Sequence, residues 1–417
     1  MASTESQRPL ASSRLAESLL AVFVGTCLLL LSELIVAQAG APFPGHGERF
    51  AAMAQNPFAF TGEFPQRVLW PLLAWLFAQV GVGPVAFSSV CNGALLAVVF
   101  WFARRRTQSI CDALLVAIAI AASGVVLVYK SMSCFSDTIN LLLLVMLIHF
   151  AARPKVFWSL VVITAFSHEL VFFFTPWLIY LRLANGGRLL PEIGLWGCSV
   201  GIYGAFRVAL ALSGHTGPYD TSYYFDNAIW VPWALPAIWL LWGFVVLVEF
   251  GPLLVGVFFA SRRGALARPE AMGGSYWPWL YWPSLLSLML LAYDVMRFAP
   301  LAFLPVLLGL IAVVSSRGGR AKLAVLTVLQ IVSYILLHPV ASEQGGRQFT
   351  EISQTVLANI GLLASRTPSD AWAFMASLIE QHLLYGLVAL LSLGAIVAVG
   401  VGLASRENRG SAQDLEA

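Results

Sequence analysis

A few ionisable side chains stand where chemistry is possible. His46, Glu48 and Glu63 lie in a polar stretch broken by glycine and proline, and Arg67 heads the apolar run that follows it. Lys130, Asp137, His168, Glu169, Asp294 and Arg297 border or interrupt other apolar segments. A carboxylate in a loop that returns to a membrane surface can accept the proton of a sugar hydroxyl, which makes Glu48 and Glu63 candidate bases; the plain alternative is a solvated loop acid. His46 and Glu48, two apart, offer two ligands to a divalent cation, with no DxD or ExD pair in the loop to complete the set. Arg67 has the fork geometry to hold phosphate bidentately, or it anchors its helix at the interface. Lys130 is a weaker candidate for the same phosphate role, and Asp294 with Arg297, three apart, can pair on one helical face. Asp137 opens an apolar helix, where a carboxylate is favoured by the dipole and where Ser136 or Asp137 can cap. Arg207 and Glu249 lie inside apolar runs and are expected to neutralise each other as a packing feature.

The elements that position these residues follow from composition. Of 417 residues, 59% are hydrophobic and only 11% charged, with a mean hydropathy of +0.81, against about 25% charged in soluble domains. This composition describes an all-α, polytopic integral membrane protein built as one domain over 1–417. The net charge of +3 is gathered in short clusters, so no basic domain exists for a nucleic acid. Five cysteines without CxxC or zinc spacing read as small buried hydrophobes. The apolar run from Leu19 is long enough for a retained first span, although Ala37-Gln38-Ala39 mimics a signal-peptidase site.

Arginine and lysine clusters set the expected topology. Arg104-Arg105-Arg106, Arg153 with Lys155, Arg182 with Arg188, Arg262-Arg263 with Arg268, and Arg317 with Arg320 and Lys322 all belong inside, as do the clusters at the two termini. Two stretches are decided by that requirement. The run from Val68 to Val80 is an outer interfacial helix and not a crossing, within a first outer loop of 41–83. The run 156–181 enters and returns as a broken helical hairpin, with Ser167-His168-Glu169 at its tip lining an outward-facing cavity. About 12 membrane segments result, with both termini cytoplasmic, a further outer loop at 339–381 carrying short helices, and an aromatic outer loop around Tyr219, Tyr223, Tyr224 and Phe225 whose rings sit at the interface.

The order of these features resembles a known family. A first span, an acidic outer loop, R-V-L-W-P-L-L-A (Arg67 to Ala74), S-D (Ser136-Asp137), S-H-E (Ser167 to Glu169) and D-x-x-R (Asp294 to Arg297) together resemble bacterial membrane proteins of the GT-C glycosyltransferase type. The resemblance implies a polyprenyl-phosphate sugar donor, a lipid, glycan or protein acceptor, and transfer at the outer face of the bacterial inner (plasma) membrane. It assigns the base, or a metal ligand, to Glu48 with Glu63 second, and the phosphate to Arg67 and Arg297, with a divalent cation as the one cofactor to consider. One departure stands out. Such proteins often carry Asp-Gly followed two residues later by an aromatic, whereas this loop reads His46-Gly47-Glu48-Arg49-Phe50. The alternatives from other classes are a transporter or flippase of a lipid-linked intermediate and an inactive scaffold in glycan assembly.

Overall fold

The structure is a computed structural model that describes residues 11–39, 47–60, 64–131, 134–215, 246–255, 280–285 and 299–336. Every regular element among the described residues is helical. Among the described residues four helices are long and apolar enough to cross a membrane: Leu15–Ala37 within α1 (Ala11–Ala39), α4 (Pro84–Thr107), α10 (Leu189–Leu212) and α13 (Gly319–Leu336). At 1.5 Å per residue, the 24 residues of α4 or α10 reach about 36 Å, enough for a hydrocarbon core of about 30 Å. Their outward faces are apolar. Leu15, Leu19, Val22, Phe23, Leu30 and Leu34 form an exposed stripe on α1, and Val325, Val328, Val332 and Leu336 form one on α13. Stripes of this size on the outside of a bundle call for an apolar solvent.

The frame is α1 against α4. Gly25 sits at their closest approach, where a Cβ would lie 2.5 Å from the Gly93 carbonyl oxygen and 2.9 Å from Ala97, so only a hydrogen fits. Small residues that let two backbones touch are the usual glue between helices in lipid. Ion pairs mark the two ends: Glu17 of α1 with Arg105 of α4 at 2.5 Å, and, at the far end of α1, Glu33 with Lys130. The first we call the basic end and the second the loop end.

α5 (Ile110–Ala121) and α6 (Gly124–Ser131) run from the basic end to the loop end and bend by 48° at their junction. A bend frees backbone groups, and these are met locally. Ser32 of α1 donates to the Ala121 carbonyl at 3.0 Å, and Ser123 donates to the Ile120 carbonyl at 2.7 Å. The central helix is α7 (Asp137–His149), buried along most of its length and, at about 20 Å, too short to cross by itself. Thr138 ties it to α4 through Asn92 at 3.1 Å.

The stretch 154–184 breaks where Ser-His-Glu stands. α8 (Pro154–Ser167) stops at His168, whose backbone is extended; a 3-10 turn (Glu169–Phe174) and α9 (Thr175–Ala184), with a proline in its first turn, carry the chain back. Arg182 then donates to the Ala151 carbonyl, so the end of α9 lies beside the start of α8. α3 (Leu69–Ala78) has only ten residues and packs on α2 (Gly47–Gln55), α4 and α8. Its length of about 15 Å is half of what a crossing needs. α11 (Val246–Val255) and α12 (Phe303–Val314) complete the described bundle, α12 against α5.

The cysteines correct the composition reading. Cys91 and Cys134 are buried, but Cys27, Cys111 and Cys198 are exposed on helix surfaces. A thiol is apolar enough to stand among the outward-facing side chains of such helices.

Candidate functional site

The site sits at the loop end, where four separate pieces of chain converge. Phe50 of α2 is fully buried and stacks on Phe64 at 5.9 Å, with Phe135 at the same distance and Trp70 edge-on at 6.2 Å. On that aromatic floor the turn 64–67 closes through Arg67 N–H to the Phe64 carbonyl at 3.0 Å. The Arg67 guanidinium then lies 4.2 Å from the Phe64 ring centroid, a cation–π stack that holds its plane.

From this position Arg67 donates bidentately to Glu169, Nε to Oε2 at 3.2 Å and Nη2 to Oε1 at 2.8 Å. The arginine side chain is 4% exposed and the carboxylate 22%, so the pair is open on the glutamate side. Next to it the His168 ring is buried, its Nδ1 3.6 Å from Glu169 Oε2 and its Nε2 3.9 Å from Asp137 Oδ1. His168 Nδ1 also accepts the Leu170 N–H at 3.4 Å, capping the 3-10 turn it opens. The chain of groups is therefore Arg67, Glu169, His168, Asp137, drawn from a loop, the hairpin tip and the start of α7.

α10 supplies the fourth side. Tyr203 packs on Phe166 and Phe172, and its hydroxyl lies within electrostatic reach of Glu169 and Arg67, with Arg207 beside it. Phe60 touches Phe206 and His215 at the end of the same helix. The tip residue Glu169 lies outside the crossing helices. Burial alone would raise its carboxyl, but the Arg67 charge, His168 and the Arg67 bonds outweigh burial and hold it below the usual carboxylate range.

The remaining candidates are placed elsewhere. Glu48 is exposed in the first turn of α2. It lies two positions from the buried Phe50, about 200° around the helix, and so faces away from the aromatic floor. Lys130 is held by Glu33 and by the Ser89 hydroxyl at 2.8 Å, away from Arg67. Asp137 is buried in the first turn of α7, but the Ser136 side chain makes no cap bond and its hydroxyl is buried without a hydrogen-bond partner. His46, Glu63, Asp294, Arg297, the Tyr219 to Phe225 loop and the loop at 339–381 lie outside the described residues.

The expected Arg207–Glu249 pair is not formed. Arg207 stands beside Tyr203, whereas Glu249 is fully buried against Gly124 with no hydrogen bond to either carboxyl oxygen. Equal depth in two apolar runs was the only basis for pairing them, and depth says nothing about which helix faces they occupy. The residues missed by sequence reasoning are Tyr203 and Phe64. Tyr203 and Arg207 are four apart, a polar pair on one face of the apolar second half of α10, and that spacing is the available signal.

The arrangement can bind an anion. Arg67 is stacked and pre-oriented, its paired carboxylate is partly open, and Arg207 brings a second guanidinium beside Tyr203. A phosphate offers the same bidentate acceptor edge as Glu169. Among the described residues no group of three or more His, Cys, Asp or Glu converges as metal ligands. No family model, curated protein or solved structure matches the chain.

Proposed function

We propose that the chain is a membrane glycosyltransferase of the GT-C type, moving a sugar from a polyprenyl-phosphate donor to a lipid, glycan or protein acceptor at the outer face of a bacterial plasma membrane. One observation carries this reading: a pre-oriented Arg67, paired bidentately with a partly open Glu169 and neighboured by Arg207, at the loop end of an apolar bundle. In this reading a lipid phosphate arriving from the bilayer meets the Arg67 guanidinium first, with Arg207 beside Tyr203 as a second cation.

In this reading about 12 membrane segments leave both termini in the cytoplasm, and the Ser167 to Glu169 break is the outward-facing tip of a hairpin whose two ends lie on the cytoplasmic side. The donor phosphate takes the place of Glu169 on Arg67. The acceptor hydroxyl attacks the anomeric carbon, the bond from that carbon to the phosphate oxygen breaks, and a carboxylate takes the hydroxyl proton. The donor leaves as polyprenyl phosphate, its growing charge met by Arg67 and Arg207. Glu48, exposed at the start of α2, is the base, with Glu63 second.

The test is sugar transfer from a polyprenyl-phosphate donor in proteoliposomes. Arg67→Ala and Glu48→Gln should each abolish turnover in protein that still inserts and folds. Full activity of Glu48→Gln removes it as base, and full activity of both removes the reading. Transport of a lipid-linked intermediate is the second reading, favoured by the buried Glu249 inside the bundle, because an ionisable residue at such a position commonly marks an ion path.

A further inference from the structure

Glu249 lies in α11, far in sequence from the Arg67 cluster, and takes no part in the mechanism above. It is 0% exposed, and both carboxyl oxygens are buried without a hydrogen-bond partner. Its backbone and side chain occupy the space over Gly124, where a Cβ would come within 2.3 Å of Glu249 Cγ. Gly124 is the first residue of α6, directly after the 48° bend. From α13, Gln330 reaches in: its Nε2 donates to the Glu249 carbonyl at 2.9 Å and to the Val248 carbonyl at 3.4 Å, and its Oε1 is buried with no partner.

A carboxylate in such surroundings would be a naked charge in an apolar interior, which is among the costliest arrangements a fold can hold. A metal cation does not resolve it, since hard cations take about six oxygens and the described neighbours bring few. A proton does. The neutral acid gains an O–H donor, and a buried acceptor without a partner, Gln330 Oε1, sits on the adjoining helix.

We propose that Glu249 is a proton-binding site at the helix break, with Gln330 as its polar neighbour, and that the protein carries one exchangeable proton there. Among the described residues no charged side chain pairs with it. On α6 the charged residue is Lys130, at the far end and held by Glu33; on α13, Tyr334, one turn from Gln330, is the titratable residue of the same face, and Arg320 and Lys322 lie at the basic end. The close contact with Gly124 links the protonation state to the bend, because ionisation would require water to enter between α6 and α11.

Infrared difference spectra of wild type minus Glu249→Gln, in H2O and D2O at neutral pH, test this directly. The expected result is one band of a protonated carboxylic acid, lost in the variant and shifted down in D2O. A difference that contains only carboxylate bands overturns the proposal. Thermal unfolding in detergent gives a second arm: wild type should lose stability steadily as pH rises from the ordinary carboxylate range upward, whereas Glu249→Gln should lack that component and be at least as stable at neutral pH. If Glu249→Gln fails to fold, Glu249→Met replaces it in both arms. A neutral variant markedly less stable than wild type, with wild type indifferent to alkaline pH, would mean that Glu249 is ionised and paired, contradicting the site.

Discussion

Two arginine–glutamate pairs sit at opposite ends of this bundle, built alike and finished differently. At the basic end Arg182 meets Glu192 bidentately at 3.1 and 2.8 Å; at the loop end Arg67 meets Glu169 at 3.2 and 2.8 Å. Both guanidinium groups lie over a phenylalanine, Phe157 at 5.9 Å and Phe64 at 4.2 Å. The surroundings separate them. Glu192 also accepts from Trp158 Nε1 at 2.6 Å, Arg182 also donates to the Ala151 carbonyl, and the side chains are 3% and 4% exposed. Gly187 is shaped around that pair, since a Cβ there would lie 2.6 Å from Glu192 Oε1. Glu169, by contrast, is 22% exposed and bordered by His168, with Tyr203 in electrostatic reach and Arg207 beside that tyrosine. A closed, fully partnered pair ties α8, α9 and α10 together. An open one, with a second cation nearby, can exchange its carboxylate for a ligand.

This contrast is open to mutation, and the largest effect belongs to the closed pair. Arg182→Ala leaves the buried Glu192 without its cation and should cost about 3–5 kcal/mol, read as loss of folded protein in thermal unfolding after detergent extraction. Gly187→Ala forces the same pair apart and should cost about 1–3 kcal/mol by the same assay. Arg67→Ala should cost less than Arg182→Ala, because Glu169 can turn to solvent, yet it should abolish transfer and phosphate-dependent stabilisation. The Glu169 carboxyl is held below its usual range, so the pair stabilises fully above the ordinary carboxylate range and that contribution fades as pH falls through and below it. Glu169→Gln should remove this acid dependence from the unfolding curve. The smallest effect is expected at Lys130→Ala, which breaks a partly exposed pair with Glu33 worth about 1 kcal/mol or less.

Much of the frame was legible in the sequence because it rests on local chemistry. Ser167-His168-Glu169 interrupts an apolar run, and the chain does break there, with Arg182 returning to the Ala151 carbonyl. The short run after Arg67 was too brief to cross, and α3 has ten residues. The pairing of Arg67 with Glu169 was not legible, although both were named, because 102 positions separate them and no pattern links their helices. The Arg182–Glu192 clasp is hidden in the sequence for another reason: an arginine in a basic cluster reads as a topology signal, and such a residue can also be buried structure. The facing of Glu48 away from the aromatic floor depends on which side of α2 Phe50 anchors, a tertiary fact.

The central claim is that the open pair binds a ligand anion and the closed pair does not. The most direct measurement is thermal unfolding of wild type, Arg67→Ala and Arg182→Lys with and without polyprenyl phosphate. Our account predicts that the lipid phosphate raises the unfolding temperature of wild type and of whatever Arg182→Lys protein folds, and leaves Arg67→Ala unmoved. Equal stabilisation of Arg67→Ala and wild type would contradict it.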